Sequence, residues 1–218
     1  MEKLSLYDLL SVLLPGALLT LFIEVVATDY GLDLNSLKIN QYFRLTIFLT
    51  SSIFLGSLVN IITRILFKIY RKIGLFTSVY KIYKKSKNLK QIHAFFDKMM
   101  QAIDKRHLKK DSKHERIEYL WNEIYYELEA TDKIKTPKAF QSFYFFFRNF
   151  FTLGLILLLF LPILVAIKWV SIKYTLLLGV NILGIIMSSF AGKWYRERMV
   201  ERMFWTYYSL NKNNNLKN

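Results

Sequence analysis

Apolar and polar positions along this chain fall into long blocks. Four blocks are predominantly apolar and long enough for a spanning helix: about Leu6 to Ala27, Leu45 to Leu66, Phe150 to Ile167 and Tyr174 to Ala191. Crossing about 30 Å of hydrocarbon takes about 20 such residues in a helix. The third block, GLILLLFLPILVAI, carries no charge, and a helix apolar all round must be buried in protein or in lipid. Between the second and third blocks the pattern becomes amphipathic with a helical period. Ile92, Phe95, Phe96, Met99, Met100 and Ile103 share one broad face, and Ile117, Leu120, Trp121, Ile124 and Leu128 share another. The charged stretch DKRHLKKDSKHER separates them, with a turn expected near Asp111 and Ser112, and Pro137 marks the break before the third block. This spacing predicts an all-α integral membrane protein with about four transmembrane helices and a helical hairpin between the second and third. The expected segments are 1–67, a first transmembrane pair; 68–148, a helical region; 149–192, a second transmembrane hairpin; and 193–218, a tail ending in the polar, disordered run NKNNNLKN.

The first block contains Pro15, Gly16 and Glu24. Proline removes one backbone donor and frees the carbonyl four residues back, here that of Ser11. A kinked spanning helix and a re-entrant segment both fit, and the kinked span is favoured because a break at Pro15 leaves too few residues to cross. Val25 and Ala27 crudely satisfy a signal-peptide cleavage rule, but Asp8, Pro15 and Glu24 argue against cleavage.

Charge then assigns sides. The chain has 218 residues, 53% of them hydrophobic, yet its net charge is +15. Lys68 to Arg148 holds 19 Lys and Arg against nine acids, and Lys193 onward holds six against two. The opposite side holds Lys38, Arg44, Lys168 and Lys173. Lys and Arg mark the cytoplasmic side. The expectation is a bacterial inner-membrane protein with both termini, the hairpin and the tail in the cytoplasm. Trp169 and Tyr174, at the short third-to-fourth turn, are expected to anchor at the interface, as is the aromatic run SFYFFFRNFF.

Polar groups within or beside the spans, Glu24, Asn60, Arg64 and Asn181, are candidates for helix packing or for lining a pore in an oligomer. Gly56 and Asn60, and Gly184 and Ser188, have small-residue spacing for close helix approach. Lys81, Lys84, Lys85, Lys87 and Lys90, interleaved with tyrosines, would attract phosphate, either of an anionic leaflet or of an RNA–protein complex. Arg196, Arg198 and Arg202, alternating with Trp194, Met199, Met203 and Phe204, suit an amphipathic helix leaving the fourth span.

Catalytic chemistry is poorly represented. There is no cysteine, and His93, His107 and His114 lack the company a zinc site needs. His114 with Glu118 is a sparse pair. A lipid-acting enzyme using Glu24 or His93 would lack a paired acid–base group on one side of the membrane. No phosphate loop or hydrolase motif occurs. No enzyme activity, cofactor or metal is expected; the expected partners are the bilayer, further copies of the chain, and a cytoplasmic protein or RNA–protein complex.

Tyr7, Asp8, Leu9 and Leu10, followed by Pro15 and Gly16, resemble the opening of small multi-pass bacterial membrane proteins. With four spans and a basic region, the chain also resembles the membrane accessory proteins of type VI-B CRISPR systems. That resemblance implies a role beside an RNA-guided RNA-cutting nuclease, by partner modulation or by oligomeric permeabilisation of the membrane. A housekeeping channel or transporter subunit is the alternative.

Overall fold

The computed structural model describes residues 6–32, 40–72, 77–107, 113–167 and 172–215, with side chains for 11–32, 40–72, 77–101, 114–167 and 172–212. The side chains of Tyr7 to Leu10, Ile103 and His107, the expected turn at Asp111 and Ser112, and Trp169 lie outside the described residues. Among those described there is no strand. The helices are α1 (Leu6–Asp29), α2 (Gln41–Lys72), α3 (Val79–Lys85), α4 (His93–His107), α5 (Lys113–Ala130), α6 (Lys135–Ile167) and α7 (Ile172–Asn215). Four of them, α1, α2, α6 and α7, are long and apolar enough to cross a membrane. The fold is all-α and reads as a multi-pass membrane protein.

The chain forms two compact units, residues 1–73 with 142–192, and residues 74–141 with 193–218. Helices α6 and α7 contribute to both. At 1.5 Å per residue, the 44 residues of α7 extend roughly 66 Å, about twice the hydrocarbon thickness.

In the membrane-type unit α1 runs unbroken through Pro15. It closes at Gly31, whose φ of 84° is the left-handed conformation glycine adopts without strain. Leu32 N–H donates to Ala27 O at 2.9 Å across that turn, satisfying a terminal carbonyl. Helices α1 and α2 meet backbone to backbone. A Cβ on Gly16 would overlap the Ser52 carbonyl oxygen, and one on Gly56 would overlap that of Val12. The proline-adjacent glycine therefore serves the helix crossing. Hydroxyls in the spans bond back into their own helices, as Thr20 does to Gly16 O at 2.9 Å and Ser188 to Gly184 O at 2.6 Å, which leaves them satisfied without water.

The other unit has its own apolar core. Leu89, Ile92, Phe96 and Met100 are buried, as are Ile117, Leu120, Trp121, Ile124 and Leu128 of α5. Phe95 and Met99 pack partly buried against them. The C-terminal stretch enters the same core with Met199, Val200, Met203 and Phe204. The segment read as a separate tail is thus an integral part of this unit. The helix also continues through Asn215, so the run expected to be disordered from Asn211 is helical that far. Ser78 caps α3 by accepting from Lys81 N–H at 3.4 Å.

Candidate functional site

Two clusters gather the chemistry-bearing side chains, one in each unit. In the membrane-type unit, Arg148 of α6 is buried. It donates through Nη2 to Asn60 Oδ1 at 3.2 Å. Its guanidinium carbon lies 4.7 Å from the Phe145 ring centroid and 5.7 Å from that of Phe67. Aromatic faces and an amide oxygen stabilise a cation in a low-dielectric setting. The next residue, Asn149, donates Nδ2 to Ser11 O at 3.2 Å. Ser11 O is the carbonyl that Pro15 releases, so a side chain of α6 supplies a donor where the helix lacks its own. One turn on, the Tyr70 and Thr152 hydroxyls are 3.2 Å apart and buried. The run SFYFFFRNFF therefore does more than mark an interface. Tyr144, Arg148, Asn149 and Phe151 face inward, while Phe143 is exposed.

At another end of this unit, Asp29 collects three hydrogen bonds. Lys173 Nζ lies 3.0 Å from both carboxylate oxygens, and Tyr174 Oη donates to Oδ2 at 2.6 Å. Tyr174 is fully buried. There Tyr174 latches α7 to the C-terminal end of α1. Asn181 donates to Gly154 O at 3.0 Å and edges an apolar cleft of about 310 Å³ between α1, α6 and α7. Glu24 is half-buried beside Gln41, Tyr42 and Arg44. Arg64 is exposed. Asn60 and Asn181 thus each bind a neighbouring helix, the arrangement of packing polar groups, and Glu24 and Arg64 stand apart from that network.

In the second unit Lys81, Lys84, Lys85, Lys87 and Lys90 are all exposed. The three arginines of α7 separate. Arg196 lies 5.8 Å over Trp121, and Arg198 lies 5.5 Å over Trp194 and 3.4 Å from Glu201, whereas Arg202 is exposed. Glu201 also accepts from Ser86 Oγ at 2.6 Å and Asn88 Nδ2 at 3.2 Å, fixing α7 to the start of the turn after α3. Tyr207 donates to Glu127 at 3.0 Å, tying α7 to α5.

Lys84 and Lys90 border a pocket of about 500 Å³ with Tyr80, Tyr83, His93, Asp97 and Ile117. Tyr83 and Ile117 are core residues. His93 stacks on Tyr83 with ring centroids 4.2 Å apart, and its Nε2 is 2.9 Å from Tyr83 O. A carbonyl only accepts, so Nε2 carries the proton in that contact. Burial and then the Asp97 charge push the Tyr83 phenol well above the ordinary tyrosine range, so it stays a neutral donor. His114 and Glu118 lie 3.9 Å apart, and among the described residues no three acidic or histidine side chains gather as metal ligands.

No family model, curated protein or solved structure matches this chain.

Three features of these clusters were not identified in advance: Asn149, Asp29 and Glu201. Asn149 carried a usable signal. Pro15 frees Ser11 O, and an Arg–Asn pair stands inside an otherwise aromatic and apolar run. Asp29 carried none, because Lys173 and Tyr174 lie more than 100 positions away, and Glu201 pointed only to its neighbour Arg198, while Ser86 and Asn88 lie more than 100 positions away.

Proposed function

We propose that this chain is a non-enzymatic accessory or effector protein of the bacterial inner membrane, with both termini and the basic helical unit in the cytoplasm, acting in antiviral defence. The observation that carries the reading is the second unit itself. It is a helical unit with its own core and a run of exposed lysines, on a chain with four helices long and apolar enough to cross a bilayer. Such a unit can be held at a membrane to dock a cytoplasmic partner, with charge supplying orientation and on-rate. The Lys and Arg distribution supports the sidedness. The resemblance to type VI-B accessory proteins supports the defence setting and names the partner class, an RNA-guided RNA-cutting nuclease. The bonds of Asn60 and Asn181 to neighbouring helices favour modulation of that partner over an aqueous path lined by these residues.

The test is a phage challenge of cells carrying such a nuclease with and without this chain. The expected result is fewer plaques when the chain is present, lost when Lys81, Lys84, Lys85, Lys87 and Lys90 are changed together to glutamine. Equal plaque counts with and without the chain would refute the reading. Potassium leakage from liposomes loaded with purified protein, together with a ring-sized particle in detergent, would transfer the activity to the permeabilising branch.

A further inference from the structure

The pocket between α3 and the start of α4 has the polar groups of a ligand site, and the docking role above does not require it. Its floor is preorganised. Ile117 and Tyr83 are held by the core, and His93 is locked by its stack on Tyr83 and its hydrogen bond to Tyr83 O. Its rim carries two ammonium groups, Lys84 and Lys90, and one carboxylate, Asp97. Two ammonium groups on flexible stems suit a phosphate as point charges. A carboxylate beside a phosphate subsite would repel a second anion. It accepts hydrogen bonds instead from paired hydroxyls, the use nucleotide-binding folds make of an acidic residue on a ribose. The volume, about 500 Å³, lies within the range of small-molecule sites.

We propose that the pocket formed by Tyr80, Lys84, Lys90, His93 and Asp97 binds a phosphorylated diol, with the phosphate between the two lysines and the diol on Asp97. Two sources share this chemistry: the phosphoglycerol headgroup of an anionic lipid, and a free nucleotide or sugar phosphate. The proposal does not depend on the defence reading, because binding can be measured on purified protein with no partner present.

The experiment uses the full chain in detergent micelles, titrated by calorimetry with inorganic phosphate, glycerol 3-phosphate and AMP. In parallel, its melting temperature is compared in nanodiscs of phosphatidylglycerol, of phosphatidic acid, whose phosphate headgroup has no diol, and of phosphatidylcholine. Saturable binding of AMP or glycerol 3-phosphate, tighter than that of inorganic phosphate and without a melting increase in phosphatidylglycerol, assigns the site to a free ligand. A melting increase in phosphatidylglycerol, with or without binding of glycerol 3-phosphate, which shares its headgroup chemistry, assigns it to the lipid headgroup. In either case K84Q/K90Q weakens the interaction by roughly 30-fold, about fivefold for each ammonium lost near a phosphate. The control K81Q/K85Q removes two exposed lysines of the same helix that do not border the pocket, and changes it by less than about twofold. D97N abolishes the preference for glycerol 3-phosphate over phosphate, or for phosphatidylglycerol over a phosphate headgroup without a diol. The ligand-free melting temperature of each variant reports its folding. The proposal is overturned if no probe and no lipid gives a saturable effect, or if K81Q/K85Q loses as much as K84Q/K90Q.

Discussion

Gly16→Ala is the sharpest perturbation of the membrane-type unit. An added Cβ would overlap the Ser52 carbonyl oxygen and lie 2.7 Å from the Gly56 nitrogen. Both are backbone atoms of α2 and cannot rotate aside. The helices must therefore part by roughly 1 Å, and a gap of that size forfeits about half of each dispersion contact along the crossing. Overpacking of this kind costs about 1–3 kcal/mol. Alanine also favours the helical backbone over glycine by about 1 kcal/mol, which would mask part of the loss. Gly179→Ala supplies the correction, because a Cβ there meets nothing within 4 Å. The difference between the two variants isolates the clash and should be about 1–3 kcal/mol. Titration of the purified protein from mild detergent into dodecyl sulfate, followed by circular dichroism, measures it. The absence of cysteine allows a second readout. The Thr20 and Ser52 hydroxyls are 3.4 Å apart, so cysteines at these two positions should form a disulfide in the parent and a weaker yield with Gly16→Ala. Gly16→Ala as resistant as Gly179→Ala, with undiminished cross-linking, would refute the backbone-to-backbone crossing.

Other consequences are equally open to measurement. Asn149→Leu should destabilise the membrane-type unit by about 1–2 kcal/mol, and by less in a Pro15→Ala background that restores the missing helical donor to Ser11 O; additive losses in that double-mutant cycle would count against the compensation. Phe204→Ala removes a fully buried ring that packs on Phe96 with centroids 4.9 Å apart, and should cost the second unit about 3–5 kcal/mol, seen as earlier loss of tryptophan fluorescence transitions. The raised Tyr83 phenol has a signed effect. Below about pH 10 it is neutral in both folded and unfolded chains and its contribution is fully present. Above that the unfolded chain releases the proton first, so stability falls as pH rises. Alkaline melting should show this slope in the parent and a shallower one in Tyr83→Phe; identical slopes would remove Tyr83 as the cause.

The spans were legible because an all-round apolar helix has few places to go, and lipid is the one that four such blocks in one chain share. The core faces of α4 and α5 were legible for the related reason that a 3.6-residue period places Ile117, Leu120, Ile124 and Leu128 on one side. The same periodicity marked Met199, Met203 and Phe204 as apolar but gave them no address, since a hydrophobic face fits lipid and protein equally well.

What the amino-acid order determined by itself was local: helix lengths, the carbonyl released by Pro15, the lysine run after the second span. These depend on contacts within a few residues or on bulk transfer into lipid. The tertiary structure alone decided the pairings. Asn149 finds Ser11 O, Arg148 finds Asn60, Tyr174 finds Asp29, and the C-terminal stretch of α7 completes the core of the second unit. Each of the three hydrogen bonds joins residues more than 80 positions apart, and an unpaired polar group can be satisfied by any suitable partner that the chain brings near. Only the packing of the helices, set in part by two glycines that let α1 and α2 touch, selects which partner that is.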